Sequence, residues 1–397
     1  MTERMFDTDP YLKEFEAEVL EVRALPDGQG VVMNRTAFFP EGGGQPSDSG
    51  TLNGHKVLEV REENGEIVHV VDKGFKTGDR ARGVLDWERR FDFMQQHTGQ
   101  HILSQAFLVN LGAETAGFHL GSDTVTIDLK VPGLSDEQVM NVEKQANGIV
   151  HENRTVRIHE MQAEEAASFP LRRRTVLTGK VRIVEIDQYD WSLCCGTHVH
   201  RTGDIGLIKV VKWEKYKGGT RVYFLCGSRA FRDYQIKTLL IRELSRKLPA
   251  GENEILERID QWGQERKASE KRMAELLDRA LEFEADRLMR SAETLGSLKK
   301  VMHLFKDRPL PEVQALAKKL TETGGVVAIL GTTGARTTIY FARSPDLDID
   351  MRKLAEAASR GMNGKGGGNA GWAQCSTADT GLAENAMKKA SEACLIE

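Results

Sequence analysis

Two short segments that carry metal-binding side chains constrain the fold of this chain more than any other feature. The first segment contains His97 and His101, and the second contains Cys194 and His198, about a hundred residues later. Histidines at positions i and i+4 lie on one face of a helix, so their ring nitrogens can converge on one ion. Zinc prefers such thiolate and imidazole ligands. We therefore predict a fold that brings the four side chains to one zinc ion per chain.

The ligand count leaves the role of this metal open. Four protein ligands are typical of a closed structural site, whereas a catalytic site keeps one position for water or substrate. If Cys194 yields its position, zinc can polarise a carbonyl or activate a water. A zinc protease is excluded more firmly, because an HExxH helix needs a glutamate where this chain has Thr98. The role of the adjacent Cys195 also stays open.

Composition predicts a multidomain globular protein whose positive charge is local. The 397 residues are 40% hydrophobic and 29% charged, with a formal net charge of -4. This balance argues against a uniformly basic nucleic-acid coat, so any RNA contact must be regional. The basic stretch at residues 172–174 is either such a contact or a solvated face. Neither a signal peptide nor a membrane span is visible, so we expect a cytoplasmic protein with no membrane partner.

The five cysteines do not form a disulfide framework. The adjacent pair at 194 and 195 indicates metal chemistry in a reducing compartment. We expect the other three, Cys226, Cys375 and Cys394, to be buried as small apolar side chains.

Periodicity predicts an α+β fold with four segments. Residues 1–88 alternate apolar and polar side chains around an Asn64-Gly65 turn, which indicates a hairpin and a small antiparallel β-barrel or sandwich. Residues 89–227 form the α+β core with the zinc site. A helix is expected at 90–111, and a capping box of Ser135 and Gln138 opens another helix. Strands are expected at 124–129, 181–186, 205–210, 221–225, 326–330 and 337–342.

The carboxyl-terminal part is expected to contain a helical arm and a second small domain. Residues 228–297 have few breakers apart from one interruption at Pro249 and Gly251, which suggests a long helical arm or a helical hairpin. Its heptad-like apolar pattern is broken, so the arm can pair with a second copy or simply separate two domains. Residues 298–397 suggest a small α/β domain that ends in a helix after residue 380. A long loop is expected at residues 361–374.

Two glycine-rich stretches are candidate ligand-binding loops. Gly42, Gly43 and Gly44 can expose backbone N–H groups to an anion or carbonyl, and Gln45 adds a donor and an acceptor. The alternative is an ordinary loop between strands. A second stretch combines Lys365 with three further glycines, and there the alternative is a flexible hinge with Trp372 buried. The candidate RNA-binding residues of this second stretch are Lys365, Gly366, Gly367, Gly368 and Gln374.

These motifs, in this order, resemble the AlaX-type alanyl-tRNA editing proteins, freestanding relatives of the editing domain of alanyl-tRNA synthetase. Residues 39–45 are similar to the family's glycine-rich motif, His97 and His101 to its HxxxH, and Cys194 and His198 to its CxGTH-type motif. Cys195 stands where the synthetases more often have glycine. Residues 366–374 are similar to the DHHA1 domain of those synthetases, which is associated with tRNA binding. The resemblance therefore points to the long AlaX form.

The resemblance implies an aminoacyl-tRNA deacylase that hydrolyses the ester of serine, or of glycine, on tRNA(Ala). No adenylation domain is visible before the editing core, so we expect editing in trans. Thr36 is a candidate for contacting the serine hydroxyl, and a homodimer through the arm or the last domain is a further expectation. The rival hypothesis is a noncatalytic tRNA-binding protein with a structural zinc. A phosphoesterase is disfavoured, because the chain has no Asp-His-His triplet.

Overall fold

The computed structural model describes residues 2–26, 28–173, 176, 178–379 and 381–393. The chain forms two compact units, Met1–Arg246 and Lys247–Glu397. Both units combine helices with sheets, which confirms the predicted α+β class. Cys226 and Cys375 are buried as expected, whereas Cys394 lies outside the described residues. Among the described helices, none combines the length and apolar character needed to cross a bilayer.

Six antiparallel strands near the amino terminus close into a barrel, in the order β2-β3-β7-β6-β5-β8. In β2, Phe15, Ala17 and Val19 are buried between exposed glutamates, so the alternation seen in the sequence points one face inward. The predicted turn at Asn64-Gly65 joins β6 and β7. The elements of this part are β1 (Glu3–Arg4), α1 (Met5–Thr8), β2 (Glu14–Leu25), β3 (Gly28–Met33), β4 (Arg35–Thr36), β5 (Gly50–Leu52), β6 (His55–Glu63), β7 (Glu66–Val71) and β8 (Arg80–Leu85).

The rest of the first unit contains two sheets with the strand orders β14-β15-β10-β9 and β11-β12-β13. Helices α2 and α3 share one apolar core with the first sheet and with β12. The elements are α2 (Trp87–Leu111), β9 (Thr115–Leu120), β10 (Val125–Leu129), α3 (Asp136–His151), β11 (Val156–Gln162), α4 (Ala163–Ala166), β12 (Lys180–Ile186), β13 (Asp190–Leu193), a 3-10 turn (Thr202–Ile205), β14 (Ile208–Tyr216), β15 (Gly219–Cys226) and α5 (Gly227–Lys247).

Local signals in the sequence set the ends of the two core helices. The capping box is confirmed: Ser135 Oγ accepts from the N–H of Gln138 at 3.2 Å, and Gln138 Oε1 accepts from the N–H of Ser135 at 2.9 Å. Asp86 caps the start of α2 by accepting from the N–H of Arg89. The strand predicted at 205–210 was wrong at its start, because residues 202–205 form a 3-10 turn and β14 begins at Ile208.

The second unit is a six-stranded sheet, in the order β16-β17-β18-β19-β21-β20, between two layers of helices. Alternate residues of β18 and β19 face either α8 and α9 or α6 and α7. The elements are a 3-10 turn (Glu252–Glu254), α6 (Ile255–Arg290), β16 (Glu293–Leu295), β17 (Leu298–Lys306), α7 (Leu310–Thr321), β18 (Val326–Thr333), β19 (Thr337–Arg343), α8 (Met351–Gly361), β20 (Lys365–Gly368), β21 (Trp372–Thr377) and α9 (Ala383–Ala393).

The arm expected at 228–297 is interrupted at Pro249 and Gly251, as the sequence indicates, so α5 and α6 are separate helices. One other feature differs from the sequence-based expectation. The loop expected at 361–374 contains the edge strand β20, which pairs with β21 from Lys365 opposite Ser376 to Gly368 opposite Ala373. Glycine is depleted in strands, so composition alone favoured a loop. The homodimer stays a prediction.

Candidate metal centre

The structure brings together the four side chains that the spacing singled out as metal ligands. His97 and His101 lie on the buried face of α2, and Cys194 and His198 lie in the loop after β13. Their candidate ligand atoms all lie within 4.8 Å of one another. Cys194 Sγ is 3.2 Å from Nε2 of His97 and 3.2 Å from Nε2 of His198. Two segments distant in sequence therefore form one compact sulfur and nitrogen donor set.

Each of the three imidazoles has an oxygen near its Nδ1 atom, and in His97 and His198 the two atoms are hydrogen-bonded. His97 Nδ1 lies 2.9 Å from Gln45 Oε1, and His198 Nδ1 lies 3.1 Å from Thr98 Oγ1. His101 Nδ1 lies 3.3 Å from Asp190 Oδ2. The hydrogen bonds at His97 and His198 fix the ring orientation, and with the proton on Nδ1 they leave Nε2 free to bind a metal.

The first glycine stretch is a tight turn that positions Gln45. Gly42 and Gln45 exchange two backbone hydrogen bonds of 3.1 and 3.0 Å, and Gly43 and Gly44 between them have φ values of 60° and 83°. Such positive φ angles favour glycine at both positions. The turn leaves the glycines accessible and buries the Gln45 side chain completely.

Thr197 determines which way the Gln45 amide points. Its backbone N–H donates to Gln45 Oε1 at 3.1 Å, and its hydroxyl accepts from Gln45 Nε2 at 2.8 Å. The amide oxygen therefore faces His97 and accepts the Nδ1 proton. Because Thr197 lies between Cys194 and His198, the glycine turn and the second metal-binding segment are locked together.

Close packing explains the glycine in the second segment. A Cβ atom at Gly196 would overlap the His97 ring, so the loop can lie directly against that imidazole. Arg182 on β12 supports the same loop, since its Nη1 donates to the carbonyls of Cys194 and Gly196 at 2.8 and 2.9 Å. The loop is therefore held from both sides in the geometry that directs Cys194 and His198 inward.

The electrostatics of Cys194 and His198 favour the protonation states that bind a metal, whereas a metal must displace a proton from His101. Burial opposes ionisation of the Cys194 thiol, but the adjacent His97 and His198 lower its pKa well below the usual value. Burial lowers the pKa of His198 to about 3, so this imidazole stays neutral. Burial also disfavours protonation of His101, yet hydrogen bonding to Asp190 and Cys194 raises its pKa. A thiolate among imidazoles is a donor set that fits a zinc-type metal.

Asp190 and Arg172 support the site and were missed as such from the sequence. Arg172 Nη1 donates to the carbonyl of His101 at 2.8 Å and lies 3.2 Å from Asp190 Oδ1. Ser192 Oγ donates to Asp190 Oδ2 at 2.9 Å. Arg172 is therefore not simply part of a solvated basic face; Arg173 is exposed, and residue 174 lies outside the described residues. No local sequence signal marked Asp190.

A cleft of about 240 Å³ adjoins the metal-binding loop. We call it the entrance cleft. The glycine turn and the exposed Cys195, which follows Cys194, both line this cleft. The cleft therefore lies next to the turn that carries Gln45 and to the loop that carries Cys194 and His198. The lining includes Phe39, Pro40, Gly42, Gly43, Arg182 and Cys195.

The remaining predicted site residues lie elsewhere. Thr36 is fully buried in the first unit, where its hydroxyl lies 2.8 Å from His69 Nε2 and accepts from the N–H of Phe38. Its contact with a serine hydroxyl stays a prediction. In the second unit, Lys365, the three glycines that follow it and Gln374 are exposed on neighbouring strands at one sheet edge. Their contact with RNA also stays a prediction.

Comparisons with protein families match three parts of the chain. Residues 181–223, which include Cys194 and His198, match the threonyl and alanyl tRNA synthetase second additional domain. Residues 10–89 match the class II (A) tRNA synthetases, and residues 299–395 match the DHHA1 domain. The fold and the site therefore define a protein of the tRNA-synthetase-related class.

Comparison with individual relatives identifies the family within this class of proteins. The alanyl-tRNA editing protein AlaX-L of Pyrococcus horikoshii is 31% identical over 385 residues, which cover 93% of each chain. AlaX-M of Methanosarcina mazei is 36% identical over 56% of this chain and 96% of that protein. The alanine–tRNA ligase of Pyrococcus abyssi is 32% identical, but the chain spans only 43% of its length. The chain belongs to the AlaX family of alanyl-tRNA editing proteins, which confirms the resemblance.

Proposed function

We propose that this protein is a trans-editing aminoacyl-tRNA deacylase that hydrolyses serine mischarged on tRNA(Ala), with one zinc ion per chain. The observation that carries the proposal is the cluster itself: three imidazoles surround the Cys194 sulfur, and the next residue, Cys195, lines a cleft. Action in trans is supported by AlaX-L, an editing protein of which the chain covers 93%.

The donor set would hold zinc through His97, His101, Cys194 and His198. When bound, zinc supplies a positive charge beside the ester, which favours attack on its carbonyl or orients the charged 3′ end. Gln45, Thr98 and Asp190 keep the imidazoles in place during the reaction. The accessible Gly42, Gly43 and Gly44 leave room for the ester to approach the backbone, so we assign these glycines to substrate binding. The predicted role of Gln45 in substrate binding would be indirect, because its buried amide is bonded to His97 and Thr197.

Discrimination against the correct product requires a polar group that hydrogen-bonds the serine hydroxyl. Alanyl-tRNA lacks that hydroxyl and would leave such a group unpaired in a buried site, which disfavours its binding. Thr36 is the candidate from the sequence. A Thr36→Val variant that still prefers seryl over alanyl esters would remove it from this role.

We assign tRNA contact to the edge of the second unit formed by β20. Its residues are exposed, and three consecutive glycines allow a phosphate to approach the backbone without meeting side chains. Lys365 adds a positive charge at the start of this strand, and Gln374 adds an amide on the adjacent strand.

The proposal is tested by incubating the zinc-loaded full chain with tRNA(Ala) charged with serine, glycine or alanine. We expect release of serine while the alanyl ester persists, and the glycyl ester tests the alternative substrate. The same reactions are analysed for tRNA mobility in native gels. Retarded Ser-tRNA(Ala) with an intact ester would instead establish a noncatalytic tRNA-binding protein.

A further inference from the structure

We propose that Arg182 makes the entrance cleft a phosphate site for the terminal nucleotide of the bound tRNA, an inference that rests on the proposed function. Arg182 lines this cleft, and its side chain is only 8% exposed. Its Nη1 is occupied by the carbonyls of Cys194 and Gly196, but Nε and Nη2 have no hydrogen-bond partner. Buried polar groups are rarely left unpaired in folded proteins, so these two atoms are candidate donors to a ligand.

The free atoms form the edge of the guanidinium that binds two oxygens at once. In the same protein, Arg221 donates from Nε and Nη2 to the two carboxylate oxygens of Asp128, at 2.6 and 2.8 Å. At the corresponding edge of Arg182, Oδ1 of Asp7 lies 3.7 Å from Nε, which is an ion-pair distance but beyond hydrogen-bond distance. A planar pair of N–H donors matches the oxygens of a phosphate or a carboxylate.

The other cations of the cleft are already paired. Arg4 lies 2.6 Å from Glu62, and Lys180 forms an ion pair with Glu160. Four acidic residues line the cleft against three basic ones, so an anionic ligand here must gain directed hydrogen bonds, because the cleft offers no general positive field. The acidic residues are Asp7, Glu41, Glu62 and Glu160. Among the described residues of the cleft, Arg182 is therefore the donor that distinguishes an anionic ligand from a neutral one.

The chemistry of an aminoacyl-tRNA substrate indicates which anion would bind at Arg182. An aminoacyl-tRNA carries its amino acid as an ester, so the anionic groups near its charged end are the phosphates of the nucleotide chain. Phe39, Pro40 and the glycine turn give the same cleft an apolar wall for a nucleoside. Because Arg182 also holds the loop of Cys194, a nucleotide phosphate at its free edge would lie one side chain away from the metal centre.

The test compares binding of adenosine 5′-monophosphate, adenosine and inorganic phosphate to the zinc-loaded full chain by calorimetry. Two charge-assisted hydrogen bonds should make the monophosphate bind about tenfold or more tighter than adenosine. It should also bind more tightly than inorganic phosphate, which lacks the nucleoside. Equal affinity for adenosine and its monophosphate, or tighter binding of inorganic phosphate, would overturn the proposal.

Cys195 supplies a readout that locates the ligand. This thiol is exposed and lines the cleft, so its alkylation rate, followed by peptide mass spectrometry, should fall when adenosine 5′-monophosphate is bound and not at the same concentration of adenosine. Binding without protection of Cys195 would place the ligand elsewhere and reject the site. Because neither measurement needs turnover, failure of this proposal is distinguishable from failure of the deacylase proposal.

A matched pair of variants isolates the free edge of Arg182. Arg182→Lys keeps the positive charge but removes the planar pair of N–H donors, so it should abolish the preference for the monophosphate over adenosine. Zinc content is measured on the same sample. Arg154 is the control, because its Nη1 also donates to two carbonyls, those of Asp187 and Gln188, but its Nε is bonded to Glu152. Arg154→Lys should keep the preference. An Arg182→Lys variant with full zinc and an unchanged preference would refute the assignment.

Discussion

The amide oxygen of Gln45 lies 2.9 Å from Nδ1 of His97, so the glycine turn of the first unit is joined directly to the metal centre. The same oxygen accepts from the backbone N–H of Thr197. One side chain therefore orients an imidazole from α2 and the loop that carries Cys194 and His198. The glycine turn contains no metal ligand, but its Gln45 helps to set the positions of three of the four ligands.

Replacing Gln45 with alanine should weaken zinc binding and deacylation together. His97 would lose the acceptor that fixes its proton and ring orientation, and such partners are typically worth roughly 10- to 100-fold in metal affinity or activity. Competition with a chromogenic chelator measures the affinity. Gln29→Ala is the control, since the Gln29 side chain bonds to the backbone of Phe75, away from the metal centre. Equal zinc affinity in both variants would remove Gln45 from this role.

Removing an imidazole should have a larger effect than removing its partner. Apparent zinc-binding free energies of about 10–16 kcal/mol are shared by about four ligands in small zinc domains. His97→Ala or His101→Ala should therefore lower zinc affinity by about a hundredfold or more. Metal content by mass spectrometry and Ser-tRNA(Ala) hydrolysis are measured on the same samples. His55→Ala, which alters a histidine paired with Asp72, should leave both unchanged.

The contact between Asp190 and His101 predicts that removing the charge of Asp190 weakens zinc binding. Asp190→Asn preserves shape but removes the negative charge 3.3 Å from Nδ1, so zinc affinity should fall by roughly 10- to 100-fold. Asp72→Asn breaks a similar aspartate–histidine pair away from the metal centre and serves as the control. If the two substitutions affect zinc affinity equally, Asp190 has only a general structural role.

The edge strand β20 predicts a change in tRNA affinity without a change in metal content. Lys365→Ala should weaken tRNA binding about uniformly across sequences. It should also reduce the slope of log affinity against log salt concentration by about one. Filter binding at several salt concentrations measures both. Lys318, an exposed lysine on α7, gives the control variant Lys318→Ala. Unchanged affinity in Lys365→Ala would reject RNA contact at this edge.

Helix geometry made part of the metal centre predictable from sequence. Because i and i+4 side chains share a helix face, His97 and His101 could be paired without knowledge of the fold. The hairpin at Asn64-Gly65 and the cap at Ser135 were predictable for the same reason, since each depends on residues within a few positions of one another.

The supporting residues could not be found this way. Asp190 is 89 residues from His101 in sequence, and Arg172 is 71 residues from it, so only the folded chain makes them neighbours. Strand β20 was hidden for a different reason. Its glycines have weak strand preference, but Gly366 packs where a Cβ would meet Ser359, so tertiary contacts rather than propensity place this segment at the sheet edge.

The most direct test of the account is hydrolysis of Ser-tRNA(Ala) by one preparation before zinc removal, after chelation, and after zinc is restored. Metal content and circular dichroism are measured at each stage. We predict one zinc per chain at the start, loss of hydrolysis with loss of metal, and recovery of both on addition of one equivalent. Full hydrolysis by a folded, metal-free chain would contradict the central claim that His97, His101, Cys194 and His198 hold a zinc ion required for editing.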